Sequence, residues 1–287
     1  MAPGLIVSQG HGEIIVIKDI VVNVSSEAAT NFAVSVASIL QAHLAGVSFL
    51  YEPIVLPMTD GGIPIDYIEV QRAENKRSAK KAKSRFDEAV RQAGLSSESA
   101  IIKAEPAEVA SVFARIARRF DMSVVTQAEP NKPIVDELIV EGVLFESGRP
   151  VFVVPYVQKT GLTLNRAMVC WDGSRNAARA VSDALPLLAR TENVDVVTII
   201  GERGKSDELP GVDIAQHLAR HGLKVELRRV ALGETDVANS LLSLAADLSA
   251  DFLVMGGYGH SRIREFIVGG ATRGILASMT VPTLMSH

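Results

Sequence analysis

The sequence predicts an α/β protein in which parallel strands are flanked by helices, and three observations support this fold class. Short apolar segments of strand length alternate with amphipathic segments of helical period. The same order of segments occurs twice along the 287 residues. A glycine-rich loop directly follows one of the last apolar segments. These patterns divide the chain into a first half, residues 1–158, and a second half, residues 161–287.

The two halves begin alike, with an apolar strand that leads into an alanine-rich helix and then into a second strand. The first-half segments are residues 20–24, 32–37 and 47–50, and the second-half segments are residues 167–171, 177–185 and 195–200. Apolar positions recur at helical intervals through both alanine-rich segments. We therefore expect the same strand–helix–strand unit in each half.

The later segments correspond more closely, because their apolar positions share one spacing. Intervals of 4, 3 and 4 residues separate Val109, Phe113, Ile116 and Phe120, and likewise Val237, Leu241, Leu244 and Leu248. This spacing places four side chains on one helix face, so both helices are expected to pack on a sheet. Buried strands should follow at residues 121–125 and 251–255, and final strands at residues 150–153 and 282–285.

The first half contains extra residues after its second strand. Between residues 51 and 71 regular structure is discouraged by three prolines and two glycines, Pro53, Pro57, Gly61, Gly62 and Pro64. The next segment predicts a helix with an apolar stripe formed by Ala79, Ala82, Phe86, Val90 and Ala93. Basic residues beside the stripe form either a solvated face or a polyanion-binding patch, and the acidity of this half favours the solvated face.

Composition and charge exclude several classes of protein. With 47% hydrophobic residues the chain is too apolar to be disordered, and its net charge of −4 argues against a nucleic-acid partner. No apolar run reaches the ~18–20 residues that cross a bilayer, so we expect no membrane partner and a cytoplasmic location. The single Cys170 excludes an internal disulfide and fits a small core residue better than a redox switch.

The segment most informative about function is the glycine-rich region of the second half. Three glycines follow a strand and two precede the last helix, which is expected to start near Thr272; they are Gly256, Gly257, Gly259, Gly269 and Gly270. Glycines let the backbone turn sharply and approach a ligand closely. Unpaired amides at a helix N-terminus attract anions, so the two loops together are suited to hold a phosphate chain.

Asp172 ends the first strand of the second half and is expected to face these loops. In a doubly wound parallel sheet the first and fourth strands are neighbours where the strand order reverses, and ligands bind at their carboxyl ends. Asp172 is therefore placed to accept hydrogen bonds from a base or a ribose while the glycine loops hold the phosphates.

A strand ending in Asp-Gly-Ser, with a later Gly-x-x-Gly-x9-Gly loop, resembles the universal stress protein family, and two such units resemble its tandem members. The resemblance covers about residues 18–287. It implies two tandem flavodoxin-like domains of the adenine nucleotide alpha hydrolase-like kind, each with a five-stranded parallel sheet. It also implies ATP or AMP as the ligand, Mg²⁺ brought by the nucleotide, pairing of the halves about a pseudo-dyad, and a role in stress survival.

The resemblance also implies which residues bind the nucleotide. The positions that match the family motif are Asp172, on the adenosine side, and the glycines Gly256, Gly259 and Gly269. The family's Ser or Thr after the third glycine is Gly270 here, and Thr272 offers a hydroxyl two residues later. His260, which follows the second motif glycine, is expected to hydrogen-bond a loop carbonyl or the ligand's phosphate.

The first half lacks these features. Its first strand ends in Ser25 and Ser26, and residues 127–130, Gln-Ala-Glu-Pro, stand where the glycines should follow the fourth strand. Glu141 lies about where the third glycine is expected. A carboxylate repels phosphate and a proline removes an amide donor, so we expect no nucleotide in this half.

These features favour a nucleotide-binding protein with a regulatory role in the stress response, rather than an enzyme. No residues have the spacing of a catalytic group or a metal site, and none is assigned to either role. Two alternatives stay open: an interaction scaffold of the same fold, and a weak ATP hydrolase. The last strand of each half is apolar enough to need cover, so we expect the halves to pair within the chain, with homodimerisation left open.

The asymmetry between the halves gives the first prediction. Asp172→Ala should reduce the affinity for ATP or AMP roughly ten- to a hundredfold, because it removes hydrogen bonds to a charged group worth about 1–3 kcal/mol. The matched variant Glu129→Ala, in the first half, should leave the affinity unchanged. Isothermal titration of the three proteins measures both effects, and equal effects of the two substitutions would refute the assignment.

Overall fold

The computed structural model describes residues 16–52, 65–130, 135–200, 214–231, 236–258 and 270–287. The first half contains β1 (Asp19–Asn23), α1 (Glu27–Leu40), β2 (His43–Tyr51), α2 (Ile65–Gln92), β3 (Ser97–Ala104), α3 (Val109–Ala117), β4 (Met122–Thr126), α4 (Val135–Glu146) and β5 (Val151–Val154). The second half contains β6 (Arg166–Cys170), α5 (Arg175–Leu188), β7 (Asn193–Ile200), α6 (Ile214–Arg220), β8 (Val225–Ala231), α7 (Val237–Asp247), β9 (Phe252–Gly256), α8 (Gly270–Ser278) and β10 (Thr283–Ser286).

All these strands form one sheet in the order β3-β2-β1-β4-β5-β10-β9-β6-β7-β8. Neighbouring strands are parallel except β5 and β10, which pair antiparallel where the halves meet, with Phe152 opposite Leu284. Within each half the strand order is third, second, first, fourth, fifth, so the order reverses between the first and fourth strands. The predicted α/β class with a mostly parallel sheet is confirmed.

One carboxylate arrangement recurs in both halves and fixes the start of the sheet's central strands. Asp121 precedes β4 and accepts hydrogen bonds from the backbone N–H groups of residues 18 and 19, at 2.8 and 3.1 Å. Asp251 precedes β9 and accepts from the N–H groups of residues 165 and 166, at 2.6 and 2.8 Å. Each aspartate therefore ties the beginning of the first strand of its half to the beginning of the fourth.

Two apolar clusters, one on each face of the sheet, form the core, and both extend through the two halves. Helices α1, α2, α5 and α6 contribute to the cluster that contains Phe152 and Leu284. Helices α3, α4, α7 and α8 contribute to the cluster that contains Val153 and Met285. Because strand side chains alternate between faces, the short β5 and β10 strands supply both clusters. The halves thus share a continuous core.

Two of the predictions for the first-half helix and one for the last helix need correction. Helix α2 already begins at Ile65, inside the range in which regular structure was not expected. Proline disrupts the interior of a helix but is tolerated at its start, so Pro64 does not prevent a helix from beginning there. Ala93, which was expected in the apolar stripe, is exposed and lies beyond the end of the helix. The helix ends ahead of Gly94, whose φ of 65° is in the left-handed region that is common after a helix. Helix α8 begins at Gly270, two residues earlier than expected.

Among the described residues, no helix combines the length and the apolar character that crossing a membrane requires.

A substitution at Phe152 tests whether the two halves share one core. Its ring is fully buried and lies 5.1 Å from the ring of Phe32 in the first half and 6.0 Å from that of Phe252 in the second. Phe152→Ala should lower the free energy of unfolding by about 3–5 kcal/mol, because it leaves a cavity at the junction. Val157→Ala, at a residue that is 49% exposed, should change it by less than about 0.5 kcal/mol in the same denaturant titration. A small effect of Phe152→Ala would contradict the shared core.

Candidate functional site

The candidate site of the second half lies where the strand order reverses, between β6 and β9. These strands are parallel neighbours, with Cys170 opposite Met255, so their carboxyl ends open at the same edge of the sheet. Asp172 follows β6 by two residues, and Gly257 and Tyr258 follow β9 directly. The structure therefore brings the predicted aspartate and the start of the glycine loop together.

Asp172 is exposed and shapes the turn between β6 and α5. Its Oδ1 accepts a hydrogen bond from the backbone N–H of Ser174 at 2.9 Å. Gly173 has a φ of 72°, a left-handed conformation that favours glycine between the two residues. Ser174 then caps α5, since its Oγ accepts from the N–H of Ala177 at 3.1 Å. The turn presents the Asp172 carboxylate beside the N-terminus of α5.

Packing within the protein requires a glycine at Gly256, where backbone lies close, and the Leu144 side chain packs closely against Gly257. A Cβ on Gly256 would lie 2.6 Å from the backbone nitrogen of Ala177, and one on Gly257 would lie 2.6 Å from the Leu144 side chain. The buried amide of Asn176 donates to the Gly257 carbonyl at 2.6 Å and holds the loop against α5. The space beside both glycines is thus filled by the chain itself. Sequence reasoning missed Asn176, because a single amide after a cap residue carries no recognisable pattern.

The first turn of α8 contacts the same loop. Thr272 is buried, and its Oγ1 accepts a hydrogen bond from the backbone N–H of Tyr258 at 3.1 Å. Gly270, the first residue of the helix, is exposed, and a Cβ placed on it would meet no atom within 4 Å. The Thr272 hydroxyl therefore joins the loop to the helix, while none of the residues that the structure describes fills the space beside Gly270.

Tyr258 lies at the junction of the two halves. Burial, together with the negative charges of Glu141 and Glu137, raises its pKa to about 12, and the positive charge of Arg273 partly opposes the shift. The Tyr258 ring lies 4.8 Å from the ring of Phe145 of α4. Phe145 and Leu144, both of the first half, thus contact the loop of the second half, and sequence reasoning did not foresee these contacts.

Three predicted binding residues lie outside the described residues: Gly259, His260 and Gly269. Within the described ranges, no three His, Cys, Asp or Glu side chains are grouped closely enough to hold a metal ion.

The comparisons with known proteins agree with this geometry. The family model described as the universal stress protein family matches residues 163–287. Residues 163–287 are thus similar to the universal stress protein family. A universal stress protein of Synechocystis sp. is 26% identical over 139 residues, which are 47% of this chain and 46% of that relative. The match therefore spans about half the length of the relative.

Solved structures share the fold over nearly the whole chain. A universal stress protein from Archaeoglobus fulgidus aligns with a TM-score of 0.65 at 17% identity, covering 93% of this chain and 96% of that one. A functionally unknown protein from Pseudomonas aeruginosa aligns with a TM-score of 0.60 at 12% identity, covering 94% and 92%. At these identities the likeness establishes the fold of both halves.

The first half differs at the position that corresponds to the universal stress protein loop. Val24 and Trp171 each donate a backbone hydrogen bond to the second strand of their half, so Ser25 occupies the position of Asp172. Gln127, which follows β4 as Gly257 follows β9, is buried. Its amide donates to the carbonyls of residues 276 and 277 in α8, at 2.9 and 3.2 Å. The side chain at this position of the first half thus contacts the second half.

Cys170 ends β6, directly before Trp171 and Asp172. Burial and, to a smaller extent, the negative charge of Asp172 together raise the pKa of its thiol to about 12. Because the thiolate is the reactive form, this environment favours an unreactive cysteine, which is partly buried against the core.

The reactivity of the single cysteine tests this environment. At pH 8 the thiol of the folded chain should react with iodoacetamide roughly a thousandfold more slowly than that of the urea-unfolded chain, because far less thiolate is present. Mass spectrometry of the alkylated protein gives both rates. Similar rates in the two states would show that Cys170 is accessible and ionisable.

Proposed function

We propose that the second half binds one adenine nucleotide, ATP or AMP, in the crevice between β6 and β9, and that the protein acts by binding. The observation that carries this proposal is the placement of an exposed carboxylate, Asp172, and an open helix start, Gly270, beside the same loop. A nucleoside phosphate offers hydroxyl and amino donors at one end and negative charge at the other. The two ends of the crevice match these two chemistries.

Each side of the crevice has a defined role in the proposal. Asp172 accepts hydrogen bonds from the ribose or the base. The unpaired amides and the positive dipole end of α8 hold phosphate beside Gly270. Gly259, His260 and Gly269 extend this contact along the phosphate chain, as the motif implies. Mg²⁺ enters with the nucleotide and is held through the phosphates.

The roles of the first two glycines follow from their packing. Gly256 and Gly257 contribute by letting the loop lie close to α5 and α4. Their absent side chains set the position of the loop backbone, and ligand contact falls to the residues after them. In this account the bound nucleotide changes the protein surface at the loop. A partner protein in a stress response recognises the changed surface.

A scaffold that binds no nucleotide is the competing function, and one observation favours it. The first turn of α8 begins with Gly270, where the family motif has a hydroxyl, and the Thr272 hydroxyl already accepts a hydrogen bond from Tyr258. In this alternative the loop is a retained turn that serves only to pack the second half against α4 of the first half.

Small molecules that co-purify with the protein distinguish the two functions. The purified chain is denatured, and the released compounds are identified by liquid chromatography and mass spectrometry. The proposal expects an adenine nucleotide from the parent protein and much less from Asp172→Ala. The scaffold would be favoured if neither protein released a nucleotide and the parent protein did not bind added ATP or AMP.

Gly270→Ser gives a gain-of-function prediction. A Cβ at this position meets no atom of the described residues within 4 Å, and the serine hydroxyl supplies the hydrogen bond to phosphate that the family motif implies. The affinity for ATP should rise roughly three- to tenfold, the value of one neutral hydrogen bond. Gly270→Ala fills the same space without a hydroxyl and should bind like the parent. Calorimetric titration of the parent and the two variants with ATP measures the three affinities. Equal affinities would argue against a phosphate at this helix start.

A further inference from the structure

The first half has a cavity of about 180 Å³ between strands β2 and β3 and the end of helix α3. Its lining carries two charged side chains, Glu98 of β3 and Arg119, two residues beyond α3, and both residues are exposed. The rest of the lining is mostly apolar and includes Ala45, Val47, Ala100, Ile102 and Phe120. Ligand sites combine an apolar wall with a few polar groups in this way, and a volume below ~300 Å³ limits the occupant to a small molecule.

The strand registers show which residues of the second half correspond to this cavity. Asp19 and Arg166 correspond, because each accepts a backbone hydrogen bond from the aspartate that precedes the fourth strand of its half. Counting across the sheet from these two positions matches Ala45 with Asp195, Glu98 with Glu226 and Ala100 with Arg228. Paired residues of neighbouring parallel strands lie on the same face of a sheet, so these positions share one face in each half.

In the second half an ion cluster occupies these positions. The carboxylate of Asp195 is fully buried and pairs with the guanidinium groups of Arg166 and Arg228, at 2.6 and 2.5 Å. Arg228 also contacts the carboxylate of Glu226 at 2.7 Å. The second half therefore shows that a guanidinium group fits on this face of the sheet, between carboxylates of neighbouring strands.

The first half lacks the two side chains at the centre of this cluster. Ala45 stands where the second half has Asp195, and Ala100 stands where it has Arg228. Both alanines line the cavity, which occupies the space that the longer side chains fill in the second half. Glu98 keeps the carboxylate at the edge strand, so the first half retains an anionic group there and lacks the guanidinium that pairs with it.

The region beside Glu98 has an excess of negative charge. Asp19 replaces the cation Arg166, and its Oδ1 is buried with no hydrogen-bond partner among the residues that the structure describes. Burial raises the pKa of Asp19, and the charges of Asp121 and Glu98 add to the shift, whereas His43 opposes it. A carboxylate oxygen that is buried without a donor is costly, and a cation reduces that cost. The described carboxylates and His43 are not grouped closely enough to hold a metal ion, so the chemistry favours an organic cation.

We propose that the first-half cavity binds a small guanidinium compound that also carries a carboxylate, the chemical class that free arginine represents. Its guanidinium takes the place of the missing side chain at Ala100 and pairs with Glu98, because the planar fork of N–H donors matches a carboxylate. Its aliphatic part lies on the apolar wall, and Arg119 pairs with its carboxylate. The cavity is separate from the crevice between β6 and β9, so the proposal does not depend on nucleotide binding.

Isothermal titration of the full chain with free arginine tests the site. We expect saturable binding of one arginine per chain. Glu98→Gln should weaken it about tenfold or more, because the substitution removes the charge from a charge-assisted hydrogen bond. Glu105→Gln, at an exposed carboxylate beyond β3, is the matched control and should bind like the parent. No saturable binding at up to about 10 mM arginine, or parent-like affinity of Glu98→Gln, would overturn the proposal.

A second variant fills the cavity from within the chain. Ala100→Arg introduces the side chain that the second half has at this position, and its guanidinium should pair with Glu98 and abolish arginine binding. Ala100 is exposed on an edge strand, so the longer side chain is accommodated there. Ala100→Ser changes the same residue without filling the cavity and should bind like the parent. Undiminished affinity in a folded Ala100→Arg protein would overturn the site.

Agmatine, which is arginine without its carboxylate, tests the role of Arg119. Agmatine should bind about tenfold more weakly than arginine to the parent, and Arg119→Ala should bind the two compounds alike. Equal affinities of the parent for both compounds would overturn the pairing of Arg119 with a carboxylate. Saturating ATP should leave the arginine affinity unchanged, and competition between ATP and arginine would overturn the assignment of arginine to the first half.

Discussion

The antiparallel pairing of β5 with β10 is the constraint on which the rest of the structure depends. It turns two sets of five strands into one sheet, and it lets both apolar clusters run through the junction. Because each half would otherwise end in a short apolar edge strand, the pairing also covers edges that favour association with other chains. It brings α4 of the first half over the loop that follows β9. The contacts of Leu144 and Phe145 with that loop depend on it.

The packing of the glycines changes how the binding motif should be understood. A motif glycine is usually interpreted as room for a ligand, but the space beside Gly256 belongs to α5 and the space beside Gly257 to α4. The loop is therefore shaped by its neighbours on both sides before any ligand arrives. Asp172 and Gly270 are instead exposed at the mouth of the crevice. In the proposed function they meet the ligand, and the first two glycines determine where the loop backbone lies.

Local patterns predicted most of the fold, and long-range contacts account for what was missed. Buried central strands and amphipathic helices carry clear periodicity, so β1, β4, β6, β9, α3 and α7 were evident from the sequence. The outermost strands β3 and β8 were not assigned, because edge strands alternate polar with apolar residues and resemble loops. Asp172 and the motif glycines were identified by spacing. The contacts of Phe145 and Gln127 with the other half could not be identified in this way, since each joins residues more than 100 positions apart.

The central claim is that one half of a duplicated architecture binds a nucleotide and the other half supports it. Equilibrium dialysis of the full chain against labelled ATP, at saturating concentration, measures the number of nucleotides bound per chain. The account predicts one. A value of two would place a second nucleotide in the first half, where Gln127 and Glu141 occupy the corresponding positions, and a value of zero would contradict nucleotide binding altogether.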